Sequence, residues 1–246
     1  MEYINWVIYP LLIFIGAQYL LGPIMVYLNQ NIPIKYKFTI LDSEIFLEER
    51  GSIFRALHDQ ILGSGFRYVG SSELNMSHSA LYFSIYYNEE LKLTCTLMTV
   101  HATHNSPFTQ IEFTQLYKDG TLFGVNNNGI FGVYPKWSIK DGYRYPSVND
   151  YNQLLNIARK LIGRYKSNCT PIELEPGSEF QIIESHLNDE VQHLIEIDWV
   201  SPRQRGDSYH LTIKGALLMT WKMCWPIKSF INKADIKRSE SALRNA

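Results

Sequence analysis

Apolar positions change their spacing several times along this chain. From Tyr3 to Ile34 no side chain is charged, and thirteen residues between Ile4 and Leu28 are Ile, Leu, Val or Phe. Beyond Ser43 the spacing becomes helical, with Ile45, Phe46, Phe54, Leu57 and Ile61 on one side. That predicts a helix capped by Ser43 and running to about Leu62, with Gly51 as a weak point and Gly63 and Gly65 as terminators. The runs FRYVG, LYFSIYY, LKLTCTLMTVHA and FTQIEFTQLY then read as strands. Asn88-Glu89-Glu90 and Lys118-Asp119-Gly120 supply hairpin turns, the second leading into a further strand, TLFGVN. Ile130 to Pro146 reads as a loop rich in Gly, Tyr and Pro. Helical spacing returns from Ser147 to Tyr165 and from Ser178 to about Trp199. A short strand at Tyr209 to Thr212 precedes a long basic, apolar tail that Pro226 must kink or divide. The order of helix, antiparallel meander and helices is an α+β fold.

The charge-free run is long enough to cross a bilayer core of roughly 30 Å as a helix. Its apolar side chains favour insertion, and Pro10 and Pro23 lie near its ends, where a kink costs least. Trp6, Tyr9, Tyr19 and Tyr27 suit the interfaces. A signal peptide would carry basic residues ahead of the run and a small-residue cleavage site; only Glu2 and the α-amino group precede it. Lys35 and Lys37 follow directly, which by the positive-inside rule leaves the remainder in the cytoplasm. The expected organisation is a transmembrane anchor over 1–34, an α+β domain over 35–200 and a basic Trp/Lys tail over 201–246.

Charge alters this picture only through its distribution. From Arg203 onward nine bases face three acids, and before it fourteen bases face twenty-one acids. A basic tail on an acidic body suits a polyanionic partner, with anionic lipid preferred over nucleic acid. Cys95, Cys169 and Cys224 are odd in number and far apart, so they form neither a disulfide framework nor a zinc pattern.

Candidate chemistry is sparse. His186, Glu190 and His193 share a stripe of the predicted helix with the Glu-x-x-His spacing of helical metal sites. No second copy of the motif supplies the remaining ligands, so a solvated helix flank is the expectation. His101 and His104 converge only if the chain turns between them, because residues three apart on a strand face opposite ways. Asp119 and Asn126–Asn128 lack the spacing and the closing Glu of a calcium loop and read as turn residues. Gly63-Ser64-Gly65 reads as a helix terminator, not a phosphate loop. No catalytic motif, cofactor or metal is expected.

The tail is the strongest constellation. Lys214, Lys222, Lys228 and Lys233 gather on one broad side of a helical projection, joined by Trp221 and Trp225, with Leu217, Met219, Met223, Ile227 and Phe230 opposite. Trp beside Lys suits a membrane surface, with rings at the headgroups and ammonium groups toward phosphate. The competing reading packs this helix on its own domain with snorkelling lysines.

Ile111–Asn128 (IEFTQLYKDGTLFGVNNN) and Tyr209–Pro226 (YHLTIKGALLMTWKMCWP) resemble a group of bacterial membrane-anchored proteins of uncharacterised function. The resemblance implies the plan of anchor, α+β domain and Lys/Trp tail, and no activity or catalytic residue. The expected function is a membrane-anchored, cytoplasmic-facing interaction or assembly module, touching the bilayer and a protein partner there. The alternative is a ligand-binding or enzymatic domain built on the aromatic sheet and the 130–146 loop.

Overall fold

A computed structural model describes residues 2–76, 79–102, 108–165 and 170–246. The side chains of residues 2–5, 7, 8, 11, 12, 74–76, 79, 80, 100–102 and 108 also lie outside the described residues.

Helix α1 (Glu2–Asn29) is followed by the short strands β1 (Asn31–Pro33) and β2 (Thr39–Ile40). The single helix expected from Ser43 to Leu62 is two, α2 (Ser43–Glu48) and α3 (Ser52–Gly63). Asp42, not Ser43, caps α2 by accepting from Glu44 N and Ile45 N. Gly51 stands in the extended N-cap position of α3, so the weak point is a full break. Strands β3 (Arg67–Met76), β4 (Ser79–Asn88), β5 (Leu93–Ala102), β6 (Phe108–Leu116) and β7 (Leu122–Asn126) follow as the antiparallel meander. Gly120 adopts a left-handed φ of +81° in the turn before β7, and Asp119 Oδ1 accepts from Thr121 N at 3.0 Å.

The 130–146 loop contains β8 (Lys140–Arg144), which pairs parallel to β7. Helix α4 (Tyr151–Arg164) is capped by Asp150, and α5 (Glu179–Glu196) leads to the hairpin of β9 (Val200–Arg205) and β10 (Ser208–Leu211). The tail divides at Pro226 into α6 (Ile213–Met223) and α7 (Ile227–Arg244). The fold is therefore α+β. Among the described residues no helix is long and apolar enough to cross a membrane. The early part of the expected span includes side chains outside the description.

The chain forms two compact units, each gathered from separated stretches. The first comprises 1–36, 132–137 and 185–234; the second comprises 37–131, 138–184 and 235–246.

The second unit holds the seven-stranded sheet in the order β2-β3-β4-β5-β6-β7-β8. Alternation turns Tyr86, Cys95, Leu97, Ile111, Phe113 and Val125 into one core with Phe54 and Ile61 of α3 and Leu154, Ala158 and Leu161 of α4. Burying these side chains contributes roughly 1.5–3 kcal/mol each for the larger ones. The edge at β8 is tied to the end of the tail. Arg144 Nε donates to Asp235 Oδ2 at 2.9 Å, Arg144 N donates to Ser239 Oγ at 2.9 Å, and Tyr145 OH donates to Ser239 O at 2.7 Å.

The first unit holds the three-stranded antiparallel sheet β1-β10-β9. Its core is Ile32, Val191, Leu194, Trp199, Val200, Tyr209, Leu211 and Ala216, against which Val26, Tyr27 and Met219 pack.

Candidate functional site

Within the first unit, α6 begins at Thr212, whose Oγ1 accepts from Gly215 N at 3.0 Å and donates to Asp198 O at 2.7 Å. The first turns of α6 approach the backbone at Trp199 so closely that position 215 has no room for a β-carbon. Farther on, α6 lies along α1. Gly22 meets Thr220, and the ring of Tyr19 sits 6.4 Å from that of Trp221. Trp221 Nε1 donates to Tyr19 O at 3.4 Å, and Tyr19 OH donates to Trp225 O at 3.1 Å. One side of α1 is thereby occupied. The other side presents Leu20, Leu21, Ile24, Met25 and Leu28 to the outside, and Trp6, Tyr9, Ile13 and Phe14 are exposed nearer its start.

The four tail lysines have different surroundings. Lys214 Nζ donates to Ile197 O at 2.8 Å, just past the end of α5. Lys222 Nζ donates to Val133 O at 3.2 Å and Tyr134 O at 3.0 Å and lies 5.5 Å from the centre of the Trp199 ring. Burial pushes the Lys222 ammonium below its ordinary range. Lys228 and Lys233, in the first turns of α7, are exposed. Among the described residues their side chains make no hydrogen bond or ion pair. Around them Trp225 is 58% exposed and Phe230 is 70% exposed, with Ile227 also at the surface. Sequence reading grouped all four lysines on one side. The structure half-buries Lys222 on two backbone carbonyls, ties exposed Lys214 to one, and leaves Lys228 and Lys233 outward at the start of α7.

The 132–137 segment, read as plain loop in the sequence, is held in the first unit by Lys222 and by its own aromatics. Tyr134 is half-buried, and burial together with Tyr36 and Glu190 raises its phenol to about 12. Trp137 stacks on His193 with ring centres 5.2 Å apart and lies 5.4 Å from the ring of His186. Of the His186, Glu190 and His193 stripe, the two histidines are thus brought beside Trp137, with His193 Nδ1 also 3.8 Å from Glu196. Among the described residues no group of three or more His, Cys, Asp or Glu side chains could hold a metal ion. No periodic signal marks Tyr134 or Trp137 as partners of a helix far along the chain, so the sequence did not reveal this clasp.

In the second unit, the His101 side chain and all of His104 lie outside the described residues, as does Cys169. Asn127 accepts from Ile111 N at 2.8 Å and Asn128 accepts from Ile130 N at 2.8 Å, so the asparagine run holds backbone turns. Tyr86, Tyr151 and Phe113 fill the core. A cavity of about 620 Å³ lies elsewhere, lined by Ser64, Arg67, Asn88, Glu89, Glu90 and Arg159, among others. Arg67 pairs there with Glu89 at 3.2 Å and with the fully buried Glu179, which also accepts from Gly177 N at 2.8 Å.

The geometry offers two kinds of chemistry. The first unit has an apolar helix side and an aromatic corner rimmed by two outward lysines, and the second has a charge-balanced cleft. No protein-family model matches the chain, and no curated protein or solved structure matches it at a significant level.

Proposed function

We propose that this chain is a membrane-anchored interaction or assembly module, held to the bilayer by α1 and facing the cytoplasm. The observation that carries the reading is the division of α1 into two sides. Gln18, Tyr19 and Gly22 meet α6, whereas Trp6, Tyr9, Ile13 and Phe14 in the first half of α1 and Leu20, Leu21, Ile24, Met25 and Leu28 in the second are exposed without cover among the described residues. A run of large apolar side chains this long costs free energy in water and gains it in lipid. The sequence from Tyr3 to Ile34 contains no charge that would oppose insertion, and Lys35 and Lys37 orient it. The partners implied are the bilayer, with anionic lipid favoured, and a protein at the membrane face.

A reporter that is active only outside the cytoplasm, fused after Ala246, tests the orientation. Silence of that fusion, together with retention of the chain in membranes washed at high pH, supports the reading. Release of the chain by the wash overturns the anchor, and an active reporter overturns the orientation.

A second reading, binding of a small ligand, draws support from the Arg67 cleft in the second unit, not from the aromatic sheet or the 130–146 loop. Its lining pairs two guanidinium groups with two carboxylates, which suits a small zwitterion. A shift in thermal stability with free amino acids, lost in Arg159→Ala, is the result that would favour it.

A further inference from the structure

We propose that the corner between α6 and α7 is a second membrane contact. It docks on the headgroup layer of an anionic leaflet through Trp225, Ile227 and Phe230, with Lys228 and Lys233 toward the lipid phosphates. This deepens the anchor reading and rests on it.

Three observations carry the assignment. The first is charge. From Thr212 to Ala234 the chain contains four lysines and no acid. Lys222 is committed to the carbonyls of Val133 and Tyr134, and exposed Lys214 bonds to Ile197 O at the other end of α6, so the outward positive charge at the corner itself is that of Lys228 and Lys233. The second is exposure. Trp225, Ile227 and Phe230 fall within six consecutive positions and are solvent-exposed, and two of them are aromatic. An aromatic ring beside a lysine is the pairing that headgroup layers accept, since the ring takes the acyl boundary and the ammonium takes the phosphate. The third is continuity. Tyr19 OH bonds to Trp225 O, and Cys224 Sγ lies 4.0 Å from Gln18 O, so the corner sits level with the middle of α1.

That level fixes the water–lipid boundary. Ammonium groups avoid the hydrocarbon centre, so Lys228 and Lys233 keep the corner among the headgroups, and the boundary crosses α1 near Tyr19. Glu2 to Ala17 then lie beyond the corner, about 24 Å of helix with exposed Ile13 and Phe14 toward lipid, while Leu20 to Leu28 continue from the headgroup layer on the corner's own side. A bilayer core of roughly 30 Å accommodates such a shortfall by local thinning.

The test uses the full chain reconstituted in vesicles, with Cys169→Ser and Cys224→Ser as background and Cys95 buried. A nitroxide is placed at Ile13→Cys or at Phe230→Cys, and its collisions with oxygen and with a water-soluble nickel chelate are compared. The Ile13 label reports the anchor and is expected to favour oxygen in neutral and acidic vesicles alike. The Phe230 label is expected to pass from nickel-dominated in neutral vesicles to oxygen-dominated in acidic ones at low salt. Lys228→Gln and Lys233→Gln should each lower that docked fraction about fivefold. If Phe230 stays nickel-dominated in acidic vesicles while Ile13 favours oxygen, the second contact is overturned and the anchor stands. Immersion of Phe230 that ignores lipid charge overturns the anionic selectivity. Nickel dominance at both labels overturns the anchor as well.

Discussion

A β-carbon on Gly215 would fall on the carbonyl oxygen of Trp199. That oxygen cannot easily retreat, because Thr212 N donates to it at 2.9 Å and Thr212 Oγ1 lies 3.3 Å away. The glycine lets the first turn of α6 close on the start of β9, and that closure carries α6 alongside α1. Gly215→Ala should therefore destabilise the first unit by about 3 kcal/mol, the upper end of overpacking costs. Gly163→Ala, in the last turn of α4 where an added β-carbon meets nothing within 4 Å, should be neutral or stabilising by up to about 1 kcal/mol. Denaturant unfolding followed by tryptophan emission compares the two.

Glu179 is fully buried and is met by Arg67, whose side chain remains one-third exposed. Removing the guanidinium in Arg67→Ala leaves a carboxylate in an apolar site with Gly177 N–H as its remaining described donor. The cost should be about 2 kcal/mol near neutral pH, below that of a wholly buried pair because water screens Arg67. Denaturant unfolding of Arg67→Ala beside the parent measures this cost, and a difference below about 0.5 kcal/mol would contradict it.

Local signals made the meander legible. The strands from β3 to β7 are aromatic or β-branched runs, and β4, β6 and β7 are closed by Asn-Glu-Glu, Asp-Gly and Asn-Gly, turns that act within a few residues. Strand β8 was missed because Lys-Asp-Gly-Tyr-Arg alternates nothing apolar and its register is set by parallel pairing to β7. The cap slipped from Ser43 to Asp42, since the segment offers competing acceptors, and the helix expected from Ser147 begins at Tyr151 behind its cap Asp150. The tail shows the deeper limit. A helical projection places Lys214, Lys222, Lys228 and Lys233 together, but their roles are decided by Ile197, Val133 and Tyr134, which sequence spacing does not bring near.

His58 provides a pH response in the second unit. Its Nδ1 lies 2.9 Å from Tyr86 OH, and its ring packs on Phe54 and Tyr68. Burial pushes the imidazole below its usual value, and nearby Asp59 offsets this only in part. Burial also pushes the Tyr86 phenol far up, so it stays protonated and donates to neutral His58. A histidine depressed in the folded state contributes stability that is present above about pH 6.5 and is lost as pH falls through its folded value. The urea midpoint should fall on acidification below about pH 6.5, and His58→Gln should flatten that part of the curve. An unchanged slope in His58→Gln would assign the acid sensitivity to other groups.

Lys222 and Lys228 should separate cleanly when each is changed to Gln. Lys222 is half-buried, satisfies two backbone carbonyls and lies over Trp199, so its loss strands acceptors inside the first unit. Hydrogen bonds to charged groups contribute about 1.5–3 kcal/mol, and Lys222→Gln should cost roughly 2 kcal/mol in unfolding. Because this ammonium does not face outward, vesicle binding should keep its dependence on acidic lipid and on salt. Lys228 is exposed and touches no described partner, so Lys228→Gln should leave the unfolding midpoint within about 0.5 kcal/mol of the parent. It should weaken the preference for acidic over neutral vesicles instead, by a factor that shrinks at high salt as screening removes the charge term. If Lys222→Gln abolishes the lipid preference at unchanged stability, the ammonium faces outward after all, and the clasp on Val133 and Tyr134 is not what holds the 132–137 segment.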